Sequence, residues 1–266
     1  MAKTGRILIG VGGWTYAPWR GEFYPDGLTQ KRELEYASSK LTTIEINGTY
    51  YGTQKPASFA KWRDETPDDF VFCLKGSRYT TNRRVLAQAG DSIKRFIDSG
   101  VSELRHKLGP INWQFMPTKK FDPADFEAFL GLLPKTIDGV ALRHAVEVRH
   151  DSFRTVEFVT LARKYGVAIV VAGDSGFPLI PDVTAPFVYA RIMGTAQSRP
   201  KGYAPKALDA WAARAKIWAA GGAPDDLEPV SETSAKTRKA RDVFLFVISG
   251  YKARNPAAAM ALIARL

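Results

Sequence analysis

Eight short strand signals recur along the 266-residue chain, at 6–13, 42–47, 70–76, 109–115, 145–150, 167–173, 187–194 and 243–249. Helical segments separate most of them, at 28–40, 57–65, 91–108, 124–133, 152–165, 205–220 and 256–266. Alternating strands and helices imply a parallel sheet with right-handed crossovers. Residues 144–173 show the unit: a strand, a helix with Ser152 at its N-cap position, then a glycine and a second strand. Eight such strands in a chain near the roughly 250 residues of a (β/α)₈ barrel predict closure into one α/β TIM-barrel domain over 1–266. Two joints are irregular. Residues 174–186 carry Pro178, Pro181 and Pro186 and leave no room for a full sixth helix. Residues 221–241 are long and polar and read as a surface excursion before strand eight, with Lys236, Arg238, Lys239 and Arg241 at its basic end.

Composition narrows the class. Hydrophobic content of 45% is that of a globular protein, and no apolar run approaches the roughly 20 residues of a membrane span. The N-terminal stretch lacks a small-x-small cleavage site, and Cys73 is the single cysteine, so a cytoplasmic protein without disulfides is expected. Lys and Arg number 38 against 27 Asp and Glu, a net charge of +11. That points to an anionic partner, or to solvated surface charge.

Barrel interiors are normally filled with branched apolar side chains, so polar residues of inward parity are informative. Parity turns Glu45 and Asn47 inward from strand two, and Cys73 and Lys75 from strand three. Strand five adds Glu147 and Arg149 with His150 at its exit, strand six ends in Asp174, and strand seven offers Tyr189 and Arg191. Strand four is ambiguous between Trp113 and Gln114. Active sites of such barrels lie at the C-terminal mouth, and there Glu45, Glu147 and Asp174 are the candidate catalytic carboxylates. Lys75, Arg149 and Arg191 would clamp an anion, with Asn47, Arg78 and His150 as further substrate-binding residues. Three carboxylates against three interior cations also fit a neutral structural network, but buried ion pairs contribute weakly to stability. Magnesium or manganese on the three carboxylates is the metal alternative; otherwise no cofactor is expected. The aromatic first loop places Trp14, Tyr16 and Trp19, with Tyr50 beyond strand two, either as a stacking wall or as core.

These residues carry a resemblance. The stretches IGVGGWTYAPWRGEFYP, TTIEINGTYYG, KPASFAKWRDETPDDFVFCLKGSR, KLGPINWQF, AVEVRHDSF and FVYARIMG resemble the YecE-like family, also called domain of unknown function 72. The resemblance implies a TIM barrel and no established activity. It marks Trp14, Tyr16, Glu45, Asn47, Lys75, Glu147, Arg149, His150 and Arg191 as mouth residues. The chain departs from the pattern with Thr81-Asn82 for Thr-His, Met193-Gly194 for His-Gly, and Phe246-Val247-Ile248-Ser249 where Phe-Asn-Asn is usual. Two family histidines are therefore absent, which argues against histidine chemistry or a histidine metal site here.

The expected function is an enzyme acting on a small phosphorylated, carboxylated or sugar substrate, with Glu45 and Glu147 as acid–base pair, one of raised pKa. Hydrolase, lyase and isomerase chemistries all fit that set. The alternative is a nucleic-acid-binding or nuclease-like barrel, from the charge, Arg78, Arg83 and Arg84 near the mouth, and aromatics able to stack on bases.

Overall fold

A computed structural model describes residues 4–231 and 239–266. All eight strand signals are strands: β1 (Ile7–Gly12), β2 (Thr43–Ile46), β3 (Val71–Lys75), β4 (Leu108–Gln114), β5 (His144–Glu147), β6 (Ala168–Gly173), β7 (Phe187–Ile192) and β8 (Asp242–Val247). Each is parallel to its sequence neighbours, and β8 pairs with β1 to close the barrel. A short antiparallel pair, Thr136–Ile137 with Val140–Ala141, precedes β5 and was not expected from the sequence.

Alternation along the strands sorts the core into two shells. Ile9, Val11, Ile44, Ile46, Phe72, Leu74, Trp113, Val146 and Val188 pack outward against the helices. Leu8, Val71, Cys73, Ala145, Val170, Tyr189, Phe244 and Phe246 fill the barrel. At the N-terminal end the Arg143 guanidinium lies 4.9 Å from the Phe244 ring centroid and 3.5 Å from Asp242, which plugs that opening. Closure also needs a glycine: a Cβ on Gly10 would stand 1.8 Å from the Thr43 carbonyl oxygen of β2.

The longer helices are α1 (Glu33–Lys40), α2 (Pro56–Asp64), α3 (Gly90–Ile97), α4 (Pro123–Leu132), α5 (Val156–Tyr165), α6 (Pro205–Ala219) and α7 (Asn255–Ile263), with single helical turns at Gly48–Tyr51 and Arg78–Thr81. No helix lies between β6 and β7, as the three prolines predicted. Two expectations are corrected. The segment 91–108 is not one helix: it breaks at Gly100, whose φ of +103° no ordinary side chain favours, and continues as a 3₁₀ turn at Val101–Lys107. Thr155, not Ser152, caps α5, accepting from the Phe158 N–H at 3.2 Å. Ser152 instead sits in a 3₁₀ turn and faces His150.

Among the described residues no helix is long and apolar enough to cross a membrane. Of the basic excursion, Lys236 and Arg238 lie outside the described residues. Arg241 is buried, donating to the Gly221 and Gly222 carbonyls, so it is not part of an exposed basic cluster.

Candidate active site at the barrel mouth

Three strands bring their interior charges to one point. The Arg191 guanidinium of β7 donates Nη2 to Glu45 Oε1 of β2 at 2.9 Å and Nη1 to Glu147 Oε2 of β5. The Tyr189 hydroxyl donates to Glu45 Oε2 at 2.6 Å. From β4, the Asn112 amide reaches both carboxylates, at 3.4 Å for Glu45 and 3.2 Å for Glu147, and Gln114 donates to Glu147 at 2.9 Å. Arg149 donates Nε and Nη2 to Glu147 Oε1, at 2.9 and 2.7 Å, and its guanidinium stacks 4.3 Å over the Phe177 ring. Glu45, Glu147 and Asn112 are fully buried and Arg191 nearly so. Two polar atoms within this network keep no partner among the described residues, Asn112 Oδ1 and Arg191 Nε.

Electrostatics decides what the pair of glutamates can do. Burial works to raise the Glu147 carboxyl, but Arg191, Arg149, Gln114 and Lys75 outweigh it and hold it at about 2. Glu147 is therefore an anion at any ordinary pH. The expectation of a raised carboxyl does not hold for this residue, because two guanidiniums bind it directly. For the same reason it does not meet the need of glycoside cleavage for a protonated acid near neutral pH. Burial and Glu45 both push the Tyr189 phenol up, so it stays a donor. Burial also raises the Cys73 thiol, which removes it as a nucleophile at neutral pH.

Lys75 stands apart from the network it borders. It ends β3 with 8% exposure, yet its ammonium forms no hydrogen bond or ion pair among the described residues. It lies over the face of Tyr50, 4.4 Å from the ring centroid. Burial lowers its pKa, Arg191 adds to that, Glu45 and Glu147 oppose it, and the outcome is about 8. Three cations and two carboxylates leave one positive charge at the mouth.

The remaining predicted residues divide. Asn47 is half-buried, its amide against Gly12, where a Cβ would meet Nδ2 at 2.6 Å. His150 Nδ1 takes the Ser152 N–H at 3.1 Å, so one ring nitrogen is committed to its own turn. Arg78 lies between the rings of Tyr51 and Tyr79, at 5.7 and 5.4 Å, outside the ion cluster. Tyr16 is half-buried with the Lys252 ammonium 4.1 Å from its ring. Trp19 is 1% exposed, packs on Tyr16, Phe23 and Tyr24, and donates its indole N–H to the Lys252 carbonyl. Trp14 packs edge-on against Trp62 of α2 and Phe72 of β3. Trp19 is therefore core, and Trp14 is partly buried with its ring packed on the helix side, so the two do not form a stacking wall.

Asp174 is also displaced. Its φ of +51° ends the strand alternation that would have turned it inward. It is exposed, and its carboxylate accepts the Trp211 indole N–H of α6 at 2.8 Å. Glu45, Glu147 and Asp174 thus do not surround one point, and no group of three His, Cys, Asp or Glu is placed to hold a metal ion among the described residues. The magnesium or manganese alternative loses its ligand set. Of the other residues in the network, Tyr189 is inward as its parity predicts, Gln114 is the one of the two strand-four alternatives that faces the axis, and Asn112 is the residue the sequence did not point to.

A closed eight-stranded parallel barrel with its ionic cluster at the C-terminal mouth defines a TIM-barrel protein. Within that class, the family model described as "Protein of unknown function DUF72" matches residues 8–266, and the chain belongs to this family. It is 30% identical over 150 residues to UPF0759 protein YecE of Escherichia coli (strain K12), 55% of this chain and 50% of that protein. With UPF0759 protein YunF of Bacillus subtilis (strain 168) it shares 27% identity over 116 residues, 42% of this chain and 40% of that protein. The chain thus spans about half the length of the curated relatives it matches. A DUF72 family protein of Thermotoga maritima superposes with a TM-score of 0.70 at 22% identity, over 97% of each chain. One of Enterococcus faecalis V583 gives 0.68 at 18%, over 99% of each. At such identities the likeness is one of fold.

Proposed function

We propose that this chain, acting as one barrel domain, is an enzyme that binds a small molecule with one anionic group, phosphate or carboxylate, at the C-terminal mouth. The observation that carries this reading is the uncompensated positive charge there. Glu45 and Glu147 are consumed by Arg191 and Arg149, which leaves the ammonium at the end of the largely buried Lys75 side chain without a counterion among the described residues. A cation held largely out of water without a counterion is disfavoured, and an anionic ligand would supply the missing partner. Arg149 is the cation best placed to receive it. Nη1 forms no hydrogen bond among the described residues, and the side chain is 20% exposed. Glu147 then acts as the fixed anion that orients Arg149 and Arg191, and not as a proton donor.

The test is a thermal-shift series with inorganic phosphate, sulfate, simple carboxylic acids and phosphosugars against wild type and Arg149→Gln. At a hundredfold excess over Kd, binding adds about 2.7 kcal/mol, a rise of at least about 5 °C for a domain of this size. Arg149→Gln should lose most of that rise. If no anion moves the wild-type Tm, or if both proteins respond alike, the reading fails.

A further inference from the structure

Two lysines are buried in this molecule in different ways. Lys107 is 4% exposed, and its ammonium is saturated: it donates to the Arg63 carbonyl at 2.6 Å and to the Thr66 carbonyl and hydroxyl at 2.8 and 3.3 Å. It closes the C-terminal end of α2, and nothing about it is reactive. Lys75 is buried almost as deeply, yet donates to no oxygen and pairs with no carboxylate among the described residues. The two nearby glutamates are already bound by arginines, so its nitrogen is left beside the Tyr50 ring with no protein partner among the described residues. An amine on a largely buried side chain, held free of protein partners next to like charges, is the setting in which lysine becomes a nucleophile toward carbonyl carbon.

We propose that Lys75 is the nucleophile of this site and forms a Schiff base with a small aldehyde or ketone that carries one anionic group. The inference rests on the reading above, with Arg149 holding the anionic group while Lys75 meets the carbonyl. The amine, freed of one proton, attacks the carbonyl carbon and forms a C–N bond. The carbonyl oxygen then departs as water with two of the three ammonium hydrogens, and the third stays on the iminium nitrogen. The positive charge is conserved, and no oxidant, reductant or further reactant is needed. The iminium sits where Glu45 and Glu147 face it electrostatically, and such a cation withdraws electrons from the adjacent bond of the substrate, as lyase or isomerase chemistry next to a carbonyl requires. A lowered pKa near 8 leaves about a tenth of the amine neutral at pH 7, against well under a hundredth for an exposed lysine.

The intact chain is incubated with glyoxylate, pyruvate or dihydroxyacetone phosphate, the imine is reduced with cyanoborohydride, and the labelled lysine is found by peptide mass mapping. Labelling of Lys75 should exceed that of exposed Lys31 and Lys206 at least tenfold at pH 7, and should level off above about pH 8 while theirs still climbs. Those lysines serve as internal references, so the measurement does not depend on a variant folding. Lys75→Arg, checked for an unchanged melting profile, should abolish the selective label. Labelling spread evenly over surface lysines, or absent at Lys75 with all three compounds, overturns the proposal. If phosphate still raises the Tm in that case, the anion reading survives and only the nucleophile is lost; if phosphate has no effect either, both fall.

Discussion

At the residue scale the site turns on Arg191, which is bound to two carboxylates from opposite parts of the chain and is almost wholly buried. Removing one member of a buried ion network leaves the others uncompensated, at a cost of about 3–5 kcal/mol. We expect Arg191→Met to lose that much in urea unfolding at pH 7. Lys75→Met should be neutral or stabilising, since it deletes a cation on a largely buried side chain that has no counterion among the described residues. An Arg191→Met loss below about 1 kcal/mol, or a Lys75→Met loss above it, would contradict this assignment of partners. Much of the site was legible, because period two alone turns Glu45, Lys75, Glu147 and Arg191 to one side. Asp174 escaped that rule through its left-handed backbone. Asn112 and Gln114 escaped it through a bulge: two steps along β3, Phe72 to Leu74, face three along β4, Leu108 to Ile111. The extra residue reverses parity along β4, so no count from its start could choose between Trp113 and Gln114. The fate of the aromatic loop was not legible either, since rings that pack and rings that stack on ligands are the same residue types.

At the element scale β4 and β5 are joined on their outer face by a histidine. The Trp113 indole N–H donates to His144 Nδ1 at 3.1 Å, while His144 Nε2 lies 2.7 Å from the Pro134 carbonyl. Nδ1 must accept and Nε2 must donate, which only the neutral ring does. Burial pushes its pKa down to about 4, against a partial opposing pull from the Pro134 carbonyl. The unfolded chain, with histidine near 6.5, therefore binds the proton more readily. Stability from this group is whole above pH 6.5 and is lost as pH falls toward 4, with a slope of up to about 1.4 kcal/mol per pH unit. Wild type should show this slope between pH 6.5 and 4.5 in urea titrations, and His144→Gln should flatten it. Equal slopes would mean that the ring is protonated in the fold. Strand order and most helices were readable because apolar period and caps agree, as at Asp122, which accepts from the Asp125 N–H at 3.0 Å. The break at Gly100 was not, because it answers to a remote partner: a Cβ there would strike Pro56 at 2.6 Å.

At the scale of the molecule, the net charge of +11 invites a nucleic-acid partner, but the side chains do not assemble one. Trp19 is core, Trp14 packs between β3 and α2, and Arg241 is buried at the opposite end of the barrel from Arg78. Removing a cation that neutralises a nucleic-acid phosphate should lower the slope of log affinity against log salt by about one unit. We expect single-stranded DNA to show the same slope with wild type and with Arg83→Ala/Arg84→Ala; a slope shallower by about two units in the variant would restore the nucleic-acid reading. The ion network has another consequence, one for how such a barrel can diverge. Glu45 and Arg191 are separated by 146 positions, and Glu147 is tied to the same guanidinium. A single substitution at any of the three leaves a buried charge stranded, so viable change at this mouth has to arrive in matched steps from distant parts of the chain. The helices and outer loops carry no such obligation and are free to drift while the ionic centre stays fixed.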